Sequence, residues 1–200
     1  MPHLTTENLW GSDFGNDYHR RSPGSVEANA AFFEIALMAA PDVGSILEFG
    51  AGVGNNLRAL RQRYPKAEMA TVEINTEACL QQPEFATQYL TPISDFTQDR
   101  TWGLTLSKGV LIHQPPEAVN DYYEKMYCYT SRYILMAEYY SPRVEMIEYR
   151  GTTNSLWKRP FMQEMMDRFT DLRLLDYGFQ WCRDEIAPQD DLTWALWEKK

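Results

Sequence analysis

Ser45-Ile46-Leu47-Glu48-Phe49-Gly50-Ala51-Gly52-Val53-Gly54-Asn55-Asn56-Leu57 is the stretch on which the reading of this chain turns. An apolar run ends in an acid, three glycines alternate with small residues, and a helical pattern begins at Asn55. That order reads as strand, tight turn and helix start. Glycines let the backbone turn sharply and leave bare main chain for a ligand to lie against. The helix start adds unpaired N–H groups.

Dinucleotide-binding loops run G-x-G-x-x-G, whereas this loop runs E-x-G-x-G-x-G. A second apolar run, Thr71-Val72-Glu73-Ile74, also carries a carboxylate at its end. Glu73 follows Gly54 at about the 20-residue spacing of an acid that holds ribose hydroxyls. The loop resembles the first motif of class I S-adenosylmethionine (AdoMet) methyltransferases, which wraps the methionine half of the cofactor. The resemblance implies AdoMet as cofactor and S-adenosylhomocysteine as product. It assigns Glu48, Gly50, Gly52, Gly54, Asn55, Asn56, Glu73 and Ile74 to cofactor binding. Three alternatives stay open at this point: a tight turn in another α/β protein, a nicotinamide-binding Rossmann oxidoreductase, and a non-catalytic AdoMet-binding module.

The chain has 200 residues, a length that suits one domain with a real core. Its formal charge of −9 argues against nucleic acid as the main partner, because phosphate binding needs a basic face. Cys79, Cys128 and Cys182 are widely spaced and odd in number, so neither a zinc pattern nor a disulfide framework is expected, and a reducing cytoplasm is the default. No signal core and no bilayer-spanning run is seen. Aromatics make up 14% of the chain and must fill a core or line a pocket.

Residues 1–22 read as a polar, irregular arm. It is either a surface segment whose Trp10 and Phe14 tuck into the body, or a lid that brings Tyr18 and Arg20 to the cofactor carboxylate. Ser25 can cap a helix through Met38. Strands are expected over 69–73, 87–90, 101–106, 132–137, 172–181 and 192–197 besides the one before the glycine loop, with helices between all but the last two. Asp95 reads either as the partner of the adenine amino group, with Phe96 against the ring, or as a turn residue. The fourth strand opens into Ser107-Lys108-Gly109-Val110-Leu111-Ile112-His113, at the sheet end where doubly wound folds bind ligands. Lys108, Gly109 and Val110 are therefore cofactor candidates. The expected fold is one Rossmann-like α/β domain, a seven-stranded, mostly parallel sheet with an antiparallel last strand and helices on both faces. Residues 140–160 are a possible substrate-binding insertion.

A closer resemblance rests on Phe14-Gly15-x-x-Tyr18, Val72-Glu73-Ile74-Asn75, Lys108-Gly109-Val110-Leu111-Ile112-His113 and Ala137-Glu138-Tyr139-Tyr140. It continues through Glu148-Tyr149-Arg150-Gly151, Trp157-Lys158-Arg159, Asp176-Tyr177-Gly178-Phe179 and Asp190-Asp191-x-x-Trp194. Almost end to end, the chain resembles the methylases associated with pseudaminic acid biosynthesis. The resemblance implies AdoMet-dependent methylation of a nonulosonic-acid-type sugar or its precursor. It departs from the family pattern at Arg20-Arg21-Ser22 and at Pro160.

Methyl transfer from a sulfonium needs alignment, exclusion of water and, for some acceptors, removal of a proton. No metal is required, and no metal-ligand spacing is present. His113 stands where the methyl should lie and is either a general base or a residue that lines the pocket. Glu138, Tyr139 and Tyr140 end the fifth strand. They either meet acceptor hydroxyls, with Glu138 as a base, or form a hydrogen-bonded structural belt. Arg150, Lys158 and Arg159, beside Tyr149 and Trp157, are either solvated charges or the grip on an anionic acceptor, with Arg150 as its planar anchor. The expected partner is a small, polar, anionic molecule, and O-methylation is favoured over N-methylation.

Overall fold

The computed structural model describes residues 6–21, 24–148 and 156–200. Seven strands form one sheet in the order β3-β2-β1-β4-β5-β9-β8. They are β1 (Ser45–Phe49), β2 (Glu68–Glu73), β3 (Ala86–Leu90), β4 (Trp102–Lys108), β5 (Thr130–Glu138), β8 (Leu172–Gln180) and β9 (Leu192–Lys199). The first five run parallel, and β9 lies antiparallel between β5 and β8. Strand order therefore reverses between β1 and β4, which opens a crevice outside their carboxyl ends.

Periodicity explains the two layers. In α3 (Val26–Ala36) and α4 (Asn55–Arg63), Phe32, Phe33, Leu57 and Leu60 pack on one sheet face. In α6 (Val119–Cys128) and α7 (Phe161–Arg168), Tyr122, Met126, Phe161 and Met165 pack on the other. The run Ile134-Leu135-Met136-Ala137 is buried throughout, as a parallel strand covered on both sides must be. Ser25 caps α3 by accepting a hydrogen bond from the Ala28 amide at 3.1 Å. No helix among the described residues is long and apolar enough to cross a membrane.

One expectation needs correction, and two regions gain detail. The arm is not irregular: it forms α1 (Thr6–Trp10) and α2 (Asp13–Arg21). Polar composition hid these helices because each is short and rests on tertiary contacts. After β4, a 3-10 turn at Leu111–His113 precedes α6, which begins at Val119. Within 140–160, β6 (Glu145–Met146) pairs antiparallel with β7 (Trp157–Lys158) as a small ribbon.

Candidate active site

The glycine loop stands at the carboxyl end of β1. Gly52 has φ +53, and a Cβ there would lie 3.0 Å from the His19 ring, so only glycine leaves this surface bare. Two contacts hold the loop. The Gly52 N–H donates to the Glu73 carboxylate at 2.7 Å, and the buried Gln82 side chain donates to the Gly52 carbonyl at 2.8 Å. The other Glu73 oxygen accepts from the amides of Ile74 and Asn75 at 2.8 Å each. The acid expected to meet ribose is thus oriented by the loop it faces.

Below the loop, Glu48 is buried and accepts from Asn56 Nδ2 at 2.6 Å. Its other oxygen has no partner among the described residues. Burial pushes the Glu48 carboxyl up to about 8, since a charge without compensating donors is costly away from water.

The arm forms the roof. Asn75 is the fastener: its amide group donates to the Trp10 carbonyl at 3.0 Å and to Asn16 Oδ1 at 2.8 Å. Gly15 makes this closeness possible, since a Cβ there would sit 2.0 Å from the Trp10 carbonyl oxygen. Trp10 meets the rings of Phe14 at 5.4 Å, Tyr18 at 5.1 Å and His113 at 4.4 Å. Ser94 ties the 91–94 segment to α1 by donating to Glu7 at 2.9 Å.

These parts enclose a cavity of about 240 Å³ lined by the glycine loop, Glu73, Ile74, residues 91–94, Lys108, Gly109, Val110, His113 and the arm residues Trp10, Tyr18 and His19. A second cavity, of about 650 Å³, is lined by Tyr139, Leu156, Cys182, Gln189, Asp190 and Leu192. Tyr18, Lys108, Gly109 and His113 line both. Tyr139 donates to Asp190 at 2.5 Å, and the buried Gln189 Nε2 has no partner among the described residues.

Several expected residues are placed elsewhere. Phe96 is 1% exposed and packs against Phe49, Tyr89 and Tyr129, because its apolar ring is worth more in the core than at a rim. Asp95 stands exposed in a turn. Arg20 points outward to Asp17 and Glu77, at 3.2 and 3.0 Å. Gly54 faces Pro83, and Asn55 Oδ1 accepts from Arg58 at 3.5 Å. Neither Gly54 nor Asn55 lines the cavity.

Glu138 is fully buried and accepts from the amides of Val110 and Leu111 at 2.9 Å and of Ile112 at 3.3 Å. It holds the loop after β4 and is closed to any acceptor, so the belt reading stands for this residue. Tyr140 is 56% exposed. Arg159 pairs with Glu164 at 2.8 Å, and Lys158 lies over the Tyr139 ring at 5.6 Å. None of the three lines either cavity. Tyr149 and Arg150 lie outside the described residues.

Sequence reasoning missed His19, Gln82, Thr91–Ser94, Gln189 and Asp190. Only Asp190 stood inside a quoted motif. His19 enters on α2, and the rest through turns and loops whose direction no periodicity reports.

The sheet order, the antiparallel β9 and the glycine loop at the β1 end together define the class I methyltransferase form of the Rossmann-like fold. Solved structures agree. The 1,6-didemethyltoxoflavin-N1-methyltransferase of Burkholderia thailandensis, with S-adenosylhomocysteine bound, superposes with TM-score 0.69 at 15% identity, covering 96% of this chain and 88% of that one. The magnesium protoporphyrin IX methyltransferase of Synechocystis, with S-adenosylhomocysteine bound, gives TM-score 0.70 at 12% identity, covering 97% and 98%. A plantazolicin methyltransferase, again with S-adenosylhomocysteine, gives 0.69 at 15% identity, covering 98% and 95%. No protein-family model matches the chain, and no curated protein matches it. Likeness at such identities establishes the fold, and the three neighbours differ widely in acceptor.

Proposed function

We propose that this protein transfers a methyl group from AdoMet to a small polar acceptor. One observation carries the reading: a cavity framed by the glycine loop and Glu73 meets a second cavity across Tyr18, Lys108, Gly109 and His113. In-line displacement needs the acceptor atom to reach the methyl carbon directly, opposite the sulfur, and residues that border both cavities mark such a meeting place. The residues present fit the cofactor. Gly52 offers bare main chain, Glu73 offers a carboxylate to ribose hydroxyls, and Trp10, Tyr18 and His19 exclude water above. AdoMet supplies the activated methyl group; the chain's own task is to bind, align and keep water out.

The second cavity presents Lys108, Gln189 and Asp190, which suits an acceptor rich in hydroxyl, carbonyl or carboxylate groups. The sequence resemblance supports a nonulosonic-acid-type sugar or precursor, with O-methylation favoured. The arm serves as the lid of a single domain, and Leu156 is the described residue of the 140–160 segment that lines the acceptor cavity. Isothermal titration with AdoMet, S-adenosylhomocysteine and NAD tests the reading. AdoMet and its product should bind, and Gly52→Val should abolish that binding. Tight NAD binding with no response to the sulfur compounds would overturn it. Mass spectrometry of sugar acids incubated with enzyme and AdoMet should then reveal the acceptor by the gain of one methyl group.

A further inference from the structure

Lys108 ends β4 in the wall common to both cavities. Its ammonium stands 5.7 Å over the Phe32 ring, and among the described residues it makes no hydrogen bond or ion pair. An ammonium left with free donors at the meeting of two cavities has no structural task in the fold that the contacts explain.

The groups around it come from five elements. Glu48 on β1, Glu138 on β5 and Asp190 in the β8–β9 connection act on its charge, while His113, Tyr18 and Tyr139 share its cavities. Each carboxyl group is engaged elsewhere: Glu48 with Asn56, Glu138 with three backbone amides, and Asp190 with Tyr139. Burial raises Glu48 to about 8 and Glu138 to about 7, so near neutrality both are weak counter-charges. Burial also pushes the Lys108 ammonium below its ordinary value, against the pull of Glu48, Asp190 and Glu138.

Building on the methyltransferase reading, we propose that Lys108 is the catalytic base, made neutral by the positive charge of bound AdoMet and ready to take the acceptor's proton. The acceptor oxygen or nitrogen forms its bond to the methyl carbon as the sulfur–methyl bond breaks. The electron pair of that bond goes to sulfur, the acceptor proton goes to the Lys108 amine, and the resulting ammonium later gives it to water. The site holds one positive charge before transfer and one after, first on sulfur and then on Lys108. A poorly solvated site therefore never carries two. His113, held against Trp10, orients the acceptor beside it.

The test needs no known acceptor. Titrate AdoMet and S-adenosylhomocysteine into wild type, Lys108→Met and His113→Gln at several pH values between the ordinary histidine and lysine ranges. Buffers of different ionisation enthalpy then count the protons released. The extra protons released by AdoMet over S-adenosylhomocysteine should be greater in wild type than in Lys108→Met, by up to one, and unchanged in His113→Gln. Subtracting the Lys108→Met value removes the ligands' own titration. Equal differences in wild type and Lys108→Met would overturn the proposal. Failure of either ligand to bind wild type would instead overturn the methyltransferase reading. Should Lys108→Met not fold, acetic anhydride labelling of Lys108 in wild type, followed by peptide mass spectrometry across pH, decides the matter. The pH of half-labelling should be lower with AdoMet than with S-adenosylhomocysteine, and an unmoved value would overturn the proposal.

Discussion

A carboxylate that accepts three consecutive backbone amides and a serine hydroxyl has all its lone pairs committed, and Glu138, with Ser107 as the fourth donor, is such a group. Its acid character was legible in the chain, but its direction was not, because a residue at a strand end can turn toward the cavity or toward the next loop. Glu48 makes the complementary case. Its carboxyl group is raised to about 8 in the fold, above the ordinary value of 4.5. A raised carboxyl contributes stability that is fully present below its unfolded value and is lost as pH climbs through the folded one. The melting temperature of wild type should therefore fall between pH ~4.5 and pH ~8 more steeply than that of Glu48→Gln. The glutamine oxygen can still accept from Asn56, so the comparison isolates the charge. Parallel melting curves for the two proteins across that range would show that Glu48 does not titrate as its burial requires.

At the scale of elements, the arm is held by few bonds and much aromatic surface. Asn75 fastens Trp10 and Asn16, Ser94 fastens Glu7, and the Trp10 ring reaches Tyr18 and His113. Elements with few buried contacts open at low cost. Entry of a ligand to the first cavity fits such an opening, since Trp10, Tyr18 and His19 lie over it. Trp10→Ala should weaken S-adenosylhomocysteine binding by on the order of 1–2 kcal/mol, because an aromatic contact is lost together with buried area. Hydrogen exchange of residues 6–21 should slow when the product binds wild type, and slow less in the variant. Identical protection with and without ligand would show that the arm does not close over this cavity. The sequence left open whether Trp10 and Phe14 tuck into the body, and in the fold both are half-buried and pack on each other. The two short helices were not legible, because neither is long enough to show a decisive period.

Across the whole molecule, the reversal of strand order between β1 and β4 opens the crevice, and the antiparallel β9 carries the β8–β9 connection to the second cavity. A ligand that binds only the folded chain stabilises it by mass action, by about 2.7 kcal/mol at a hundredfold excess over its Kd. For a chain of this length that corresponds to a rise of roughly 5–10 °C in Tm. S-adenosylhomocysteine should give such a shift in differential scanning fluorimetry, and NAD at the same concentration none. A shift with NAD alone would move the protein to the nicotinamide class.

From the sequence alone came the strand–glycine loop–helix unit at 45–57, the acid at the end of β2, the seven strands along the chain and His113 just after the fourth of them. These features are local: periodicity and spacing report an element and its end, and glycine reports where the backbone must turn or stay bare. Only the tertiary structure decided that Phe96 belongs to the core, that Arg20 faces outward and that Glu138 binds backbone. It alone brought His19 onto Gly52, and Gln189 and Asp190 beside Lys108. Such placements depend on which side of a loop meets which neighbour, at separations of tens to more than a hundred residues along the chain. The competition is between burying an apolar ring and satisfying a polar group, and the packing of the whole sheet and its helices settles it.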